Sequence, residues 1–216
     1  IAIVVPGNSL VSHKKAGKLS VLRDELEANP LAQGTTGIGH TRWATHGPPT
    51  DANAHPHLAD GGKLALIHNG IIENFDELKS ELQAQGEQFH SDTDSEVAAV
   101  MLGRAFQDTQ DLTLAMRAVV ARLEGAFTLL GVHQDQPDVV VGARRNSPLV
   151  VGLGQGENFL GSDVAAFVAY TDKAMALGQD QIVTITPDSV TITTFEGDPA
   201  TAAQFDIDWD ASAADK

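Results

Sequence analysis

The chain has 216 residues, 42% of them hydrophobic, and a formal net charge of -15, so it is long enough for one domain with a packed interior. The negative charge disfavours nucleic acid and anionic membrane surfaces as partners, because like charges repel. The sequence has no cysteine, no basic-then-apolar leader and no apolar run of about 18 residues, which predicts a soluble cytoplasmic protein without disulfides.

The first half of the chain alternates between strand-like and helical patterns. Residues 1–5 form an apolar β-branched run that predicts a buried strand, and turn residues follow at 6–9. Residues 19–28 carry leucines three and four positions apart, which predicts a helix over a core that Pro30 ends. The other elements predicted here are strands at 36–43 and 63–69 and helices at 73–85 and 93–107.

The second half is predicted to be mainly antiparallel sheet. Residues 111–124 have an amphipathic helical pattern that Gly125 closes. Five β-branched runs follow, at 126–132, 139–143, 149–153, 181–185 and 190–194. Strands, then helices, then strands are not a βαβ alternation, so the pattern predicts an α+β fold with two sheets packed face to face and helices outside.

Residues 40–74 concentrate the polar side chains that suggest a site. Three blocks, 40–47, 53–57 and 68–74, contain five of the eight histidines, an Arg-Trp pair and two Gly-terminated turns. These blocks lie at predicted strand ends and in the loop between them, where a rigid sheet usually presents its functional side chains. The distribution therefore predicts a polar pocket.

The histidines also admit a metal hypothesis, which the spacing disfavours. Nitrogen ligands could come from His40, His46, His55, His57 and His68. No pair has the one-face helical spacing of a zinc protease, no cysteine assists, and no acidic residue stands where a third ligand is expected. The Gly-rich stretches 37–39 and 152–156 lack the Lys-Ser/Thr ending and following helix of a phosphate loop. No metal or other cofactor is predicted.

The three polar blocks together resemble the glutaminase domains of glutamine:fructose-6-phosphate aminotransferases, which are class II glutamine amidotransferases. The resemblance continues in the family's order through 91–96, 147–154, 156–159 and 162–163. It implies the N-terminal-nucleophile hydrolase fold, a four-layer αββα sandwich with two antiparallel sheets between helices. It also implies a glutaminase domain at 1–205 and, at 206–216, the start of a linker to a sugar-isomerase domain.

Asn69-Gly70 follows an apolar run and has two interpretations. Asn-Gly is a strong hairpin-turn signal. Alternatively, the Asn side-chain N–H and the Gly backbone N–H form an oxyanion hole, in which each donor contributes about 2.7–4 kcal/mol. A tight turn could aim both donors, so the interpretations are compatible. In the resembling family the matching Asn and Gly form the oxyanion hole.

Arg42 has a surface ion pair as its simplest interpretation, and such pairs contribute little. The functional alternative is bidentate binding of an α-carboxylate, which a lysine cannot reproduce. The resemblance implies that Arg42 holds the glutamine carboxylate. It also implies that Trp43, Thr45 and His46 belong to the substrate-binding loop.

Asp94 lies in the first turn of a predicted helix, behind the capping box formed by Thr93 and Glu96. The simplest role for an acidic residue there is to complement the helix dipole. The same positive helix end would keep the carboxylate ionised for a ligand ammonium group. The resemblance implies that Asp94 receives the glutamine α-amino group and that His55 and His68 shape the pocket.

The family's nucleophile is a cysteine at the mature N-terminus, whose α-amino group serves as the base, and this sequence has none. The chain begins at Ile1 and ends in an acidic, aperiodic stretch, so we expect a fragment that lacks the family's first strand and first helix. A glutamine-binding domain that never carried a nucleophile is the alternative.

The predicted reaction is hydrolysis of L-glutamine, with the ammonia passed to fructose 6-phosphate by a C-terminal sugar-phosphate isomerase domain. A homo-oligomeric full-length enzyme is expected, with no nucleic acid or membrane partner. The near alternative is the glutaminase domain of another class II amidotransferase, such as a phosphoribosylamine-forming enzyme.

Overall fold

A computed structural model describes residues 1–7, 9–43 and 47–208. Its four α-helices are α1 (Leu19–Ala28), α2 (Phe75–Ala84), α3 (Asp94–Thr109) and α4 (Leu112–Val120). The strands are β1 (Ala2–Val5), β2 (Ser9–Ser12), β3 (Thr36–Ile38), β4 (His57–Ala59), β5 (Leu64–Ile72), β6 (Gly125–His133), β7 (Val140–Arg145), β8 (Val150–Leu153), β9 (Asn158–Gly161), β10 (Lys173–Ala176), β11 (Gln181–Ile185), β12 (Val190–Thr194) and β13 (Gln204–Asp206).

The described strands form three antiparallel sheets. The largest has six strands in the order β12-β11-β7-β6-β5-β4. The two smaller sheets have the orders β2-β1-β3 and β13-β10-β8-β9. Strand β5 is central to the site, and it pairs along its whole length with β6, from Leu64 opposite His133 to Ile72 opposite Gly125.

Alternation along β5 shows how the layers are arranged. Leu64 and Leu66 pack in one buried cluster with α3 and α4, whereas Ala65 and Ile67 pack in another with β1 and β3. Successive residues of a strand point to opposite faces. Helices therefore cover one face of the large sheet and the three-stranded sheet covers the other. The four-stranded sheet lies on that same second face, since β8 packs with β11 and β12 there.

This arrangement confirms the predicted α+β sandwich of helices and antiparallel sheets. The second β layer consists of two hydrogen-bonded sheets instead of the single sheet that the pattern suggested. The packed part of the chain also extends past residue 205, because Asp206 belongs to β13 and Ile207 is buried. No helix in the described ranges combines the length and apolarity that a membrane crossing requires.

Two helices differ from their prediction. Helix α1 has the predicted bounds, but it contains no buried residue and Leu19 is 61% exposed, so it does not lie over a core as expected. Helix α4 ends at Val120 instead of 124. The chain must turn there because Gly125, at a φ of 109°, already pairs with Ile72 at the start of β6.

The N-terminus of α3 is anchored by the Thr93 side chain. Its hydroxyl accepts a hydrogen bond from the Glu96 backbone N–H at 3.3 Å, and it lies 3.0 Å from Nε2 of the buried His57 on β4. The reciprocal half of the predicted capping box is different. The Glu96 carboxylate accepts from the backbone N–H groups of His90 and Ser91, so it closes the preceding loop instead of bonding to Thr93.

Replacing Thr93 by Val should destabilise the fold by about 1–2 kcal/mol, because the helix cap and the His57 contact are both lost. Urea unfolding monitored by circular dichroism measures the change. Thr93→Ser is the matched control, since it keeps the hydroxyl and should retain most of the stability. Equal stability of the Val and Ser variants would contradict the capping role.

Candidate functional site

A pocket of about 310 Å³ opens where three segments meet: the residues after β3, the end of β5 and the start of α3. Seven of the predicted site residues line it: Arg42, Trp43, His55, His68, Asn69, Gly70 and Asp94. The predicted site residues Thr45 and His46 lie outside the described residues. Trp43 stands at the rim and is 90% exposed.

Asn69 and Gly70 lie inside β5, opposite Thr128 and Phe127 of β6. The hairpin-turn interpretation is therefore wrong. The ladder continues for two more residue pairs, to Ile72, so no turn occurs at this dipeptide. Both residues are nevertheless exposed, because they stand at the part of β5 that borders the pocket.

Gly70 is required by its backbone geometry. Its φ is +117°, and a Cβ at this position would lie 2.1 Å from the carbonyl oxygen of Ala126 on β6. Any side chain would thus be strained and would collide with neighbouring backbone that cannot move aside cheaply. Glycine therefore allows β5 to pair closely with β6 at the point where Gly70 itself is exposed and lines the pocket.

The Asn69 side chain is held by His40, which follows β3. His40 Nε2 and Asn69 Oδ1 are 2.6 Å apart. The alternation of β5 explains the contact, because Asn69 is on the same face as Ala65 and Ile67, which pack against β1 and β3. The Asn69 amide is thereby fixed by its oxygen, and its NH₂ group is available for another acceptor.

Asp94 is 3% exposed and both of its carboxylate oxygens have protein partners. Oδ2 accepts a hydrogen bond from the Ile72 backbone N–H at 2.9 Å, and Oδ1 accepts one from the Ser95 hydroxyl at 3.3 Å. The Ser95 hydroxyl is also 2.9 Å from Nδ1 of the buried His68. The chain His68–Ser95–Asp94 therefore ties the start of α3 to β5 while the carboxylate borders the pocket.

Arg42 shapes the loop that follows it. Its guanidinium donates to the carbonyl oxygens of Pro48 at 3.3 Å and Gly47 at 3.4 Å. Asn53, which is 1% exposed, donates to the same Pro48 oxygen at 3.0 Å and exchanges two further hydrogen bonds with Asp92. Arg42 and the buried Asn53 thus hold one loop from two sides.

The rings of three histidines contact one another in a row that we call the histidine stack, and two of them, His40 and His55, line the pocket. The rings of His40 and His55 are 4.2 Å apart between centroids, and those of His55 and His57 are 4.9 Å apart. Burial lowers the pKa of all three, and the neighbouring positive charges and histidines lower it further for His55 and His57. The pKa of His57 falls to about 3 and that of His55 falls further. The stack is therefore neutral and apolar in character at neutral pH.

The histidines do not form an evident metal-binding site among the described residues. Among the described residues, no group of three or more His, Cys, Asp or Glu side chains is arranged to hold one.

Three residues that organise the site were not predicted in these roles: His40, considered only as a possible metal ligand, is the partner of Asn69, and Asn53 and Ser95 had been assigned no role. His40 and Asn53 stand inside the polar blocks already identified, so position alone gave a signal for them. Ser95 gave none, since a serine in the first turn of a helix is common. Their roles depend on contacts between segments 27 to 39 residues apart in the chain.

Comparison with known proteins gives a consistent result. A family described as "Glutamine amidotransferase domain" matches residues 23–194. The chain is 65% identical over 216 residues to a glutamine–fructose-6-phosphate aminotransferase (isomerizing) of Leifsonia xyli subsp. xyli, covering 100% of this chain and 35% of that protein. It is 58% identical over 218 residues to the protein of the same name from Corynebacterium diphtheriae, again covering 100% and 35%. The chain thus spans about a third of these relatives.

A solved structure with a similar fold is the glutamine phosphoribosylpyrophosphate amidotransferase of B. subtilis, in complex with ADP and GMP. The TM-score is 0.59 at 25% sequence identity, and the match covers 72% of this chain and 34% of the other.

The neutral histidine stack makes stability depend on pH. Unfolded histidines take up protons near pH 6.5, whereas the folded His57 does so only near pH 3. Stability is therefore highest above pH 6.5 and falls as the pH drops, because the unfolded state then binds more protons. For His57 the slope approaches about 1.4 kcal/mol per pH unit once the pH is well below 6.5.

We expect the free energy of unfolding to fall between pH 7 and pH 5, a range in which carboxylates change charge little. Urea unfolding at half-unit steps measures the slope. His57→Gln should make the slope, averaged between pH 7 and pH 5, shallower by about 1 kcal/mol per pH unit. A protein equally stable at pH 7 and pH 5 would show that the stack is not held neutral.

Proposed function

Because the chain belongs to the family of glutamine amidotransferase domains, we propose that it is the glutaminase part of an enzyme that hydrolyses L-glutamine and passes the ammonia to fructose 6-phosphate. One observation carries the proposal. Arg42, Asn69, Gly70 and Asp94, from three separate segments, line the same pocket. Its volume of about 310 Å³ is at the small end of the range for ligand sites, which suits a free amino acid.

The two charged side chains account for recognition of the amino-acid end of glutamine. Arg42 is half-buried at the pocket wall and can offer a planar pair of N–H donors to the α-carboxylate. Asp94 is held at the positive end of α3 and supplies the negative charge for the α-ammonium group. Each of its oxygens has two acceptor sites, so the bonds to Ile72 and Ser95 leave capacity for a ligand.

Asn69 and Gly70 account for the chemistry at the other end. Attack on the glutamine side-chain amide places negative charge on its carbonyl oxygen. The Asn69 NH₂ group and the Gly70 backbone N–H are the donors that we assign to this oxyanion. Both stand on β5, which is hydrogen-bonded to β6 along its full length. The donors are thus fixed before the substrate binds, so little reorganisation is required during the reaction.

We propose that the nucleophile is a cysteine on a β-strand that is not among these 216 residues, which contain no cysteine. We place this strand in a groove of about 160 Å³ between the two smaller sheets. Strands β3 and β9 border it, while Ile67, Leu130 and Val140 of the large sheet line it. In the described part of the chain, β3 pairs only with β1 and β9 pairs only with β8, so each sheet offers a free edge to such a strand.

The acceptor and the wider assembly are proposed from the relatives. Fructose 6-phosphate appears in the name of proteins 65% and 58% identical to this chain, whereas the phosphoribosylpyrophosphate enzyme is 25% identical. We therefore assign the chain up to Ile207, two residues past the predicted boundary at 205, to the glutaminase domain, and the residues after it to a linker that leads to a sugar-phosphate isomerase domain. A cytoplasmic homo-oligomer without nucleic acid, membrane or metal partners completes the proposal.

Activity is best tested in a chimera, in which residues 1–216 replace the matching region of the Leifsonia xyli relative. Glutamate release and glucosamine 6-phosphate formation are measured together. The proposal expects both products from the chimera and no glutamate from the 216-residue chain alone. A correctly folded chimera that releases no glutamate would support a domain that binds glutamine without hydrolysing it.

In the chimera, Asn69→Ala should lower kcat for glutamine hydrolysis by about 10²–10³-fold, because one oxyanion donor is lost. The melting temperature is recorded on the same preparation, since Asn69 is exposed and its loss should leave the fold intact. Asn29→Ala, at the exposed end of α1, is the matched control and should keep the parent kcat. A normal kcat in Asn69→Ala would remove Asn69 from the oxyanion hole.

A further inference from the structure

The side-chain amide of Asn69, which contacts His40, can face the pocket with either of its two ends. A primary amide has an acceptor end, Oδ1, and a donor end, Nδ2. Only the donor end can stabilise an oxyanion. Because the two ends differ by a rotation of half a turn about the last side-chain bond, Asn69 can present either one to the pocket. A neighbouring group must therefore fix the orientation of the amide.

His40 is close enough to fix the orientation of the Asn69 amide. Its Nε2 is 2.6 Å from Asn69 Oδ1, a short distance for a hydrogen bond. When Nε2 carries the proton, it donates to Oδ1 and the NH₂ group is presented elsewhere. When the proton is on Nδ1 instead, Nε2 is an acceptor and favours the flipped amide, which would present its oxygen to the substrate oxyanion and repel it.

The surroundings of His40 hold the ring in place. The His55 ring packs against it at a tilt of 39°, with 4.2 Å between the ring centroids, and both residues belong to the segment between β3 and β4. Burial lowers the pKa of His40, while hydrogen bonds to the Asn69 side chain and the His68 backbone act in the opposite direction. The ring is thus neutral near pH 7, where it has one proton to place.

We propose that His40 is a positioning residue that keeps the Asn69 amide oriented with its NH₂ group toward the substrate oxyanion, by donating from Nε2 to Asn69 Oδ1. The proposal rests on the function proposed above, since it concerns the same pocket. It adds a residue that acts on the oxyanion only through Asn69. His40 itself need not contact the glutamine amide.

The first test does not depend on activity. Nitrogen NMR of the 216-residue chain, labelled with ¹⁵N in histidine and asparagine, shows which ring nitrogen of His40 is protonated at pH 7.5 and reports the side-chain amide of Asn69. The expected result is the neutral Nε2–H tautomer. In His40→Phe, which keeps a ring but has no donor, the two Asn69 amide protons should become exchange-broadened as the amide rotates. A neutral Nδ1–H tautomer, or an unchanged Asn69 amide signal in His40→Phe, would overturn the proposal.

The second test is a double-mutant cycle in the chimera. His40→Phe should lower kcat by about 10–10²-fold, less than Asn69→Ala does, while KM for glutamine changes little. In the Asn69→Ala background the same substitution should change kcat by less than about twofold, because the only route for its effect is gone. Additive losses would show that His40 supports the pocket generally, and would overturn the positioning role.

The two tests separate this proposal from the proposed function. If Asn69→Ala leaves kcat unchanged, the oxyanion assignment fails, whatever the tautomer of His40. If Asn69→Ala is impaired as expected but His40 carries its proton on Nδ1, only the positioning role fails. His90→Phe, which removes an exposed histidine away from the pocket, should leave both the Asn69 signal and kcat as in the parent.

Discussion

The register of β5 against β6 is the constraint on which the site depends. Because side chains alternate along β5, His68 faces α3 and contacts Ser95, whereas Asn69 faces the smaller sheets and contacts His40. A shift of one residue would exchange these faces and move both contacts at once. Nine consecutive residue pairs, beginning at Leu64 and His133, hold the register. The apolar first half of β5 thus determines where its polar second half points.

In the proposed function, Asp94 serves both the stability of the fold and the recognition of the substrate. The carboxylate accepts from the Ile72 N–H, which joins the end of β5 to the start of α3, and it lines the pocket as well. A buried carboxylate with only structural partners would be a costly way to join two elements. The position of Asp94 at the helix N-terminus lowers that cost, because the helix end favours negative charge. A ligand ammonium group would complete the arrangement.

Local patterns in the sequence predicted much of this fold and missed particular features for identifiable reasons. Helix α1 has the bounds that its leucine spacing predicts, yet its exposure was not foreseen, since spacing does not say what covers a stripe. Asn69-Gly70 has a local preference for a turn, but its pairing with β6 in a long ladder, which is a non-local interaction, outweighs that preference. The pairing of His40 with Asn69 was beyond local rules, because it joins segments 29 residues apart.

A structure of the chain with bound L-glutamate, the product of the proposed hydrolysis, shows directly whether the pocket binds the amino acid as proposed. We expect the α-carboxylate to contact Arg42 and the α-ammonium group to contact Asp94. The side-chain carboxylate should point toward Asn69 and the Gly70 backbone N–H. Glutamate bound elsewhere, or bound here with its α-carboxylate directed away from Arg42, would contradict the account.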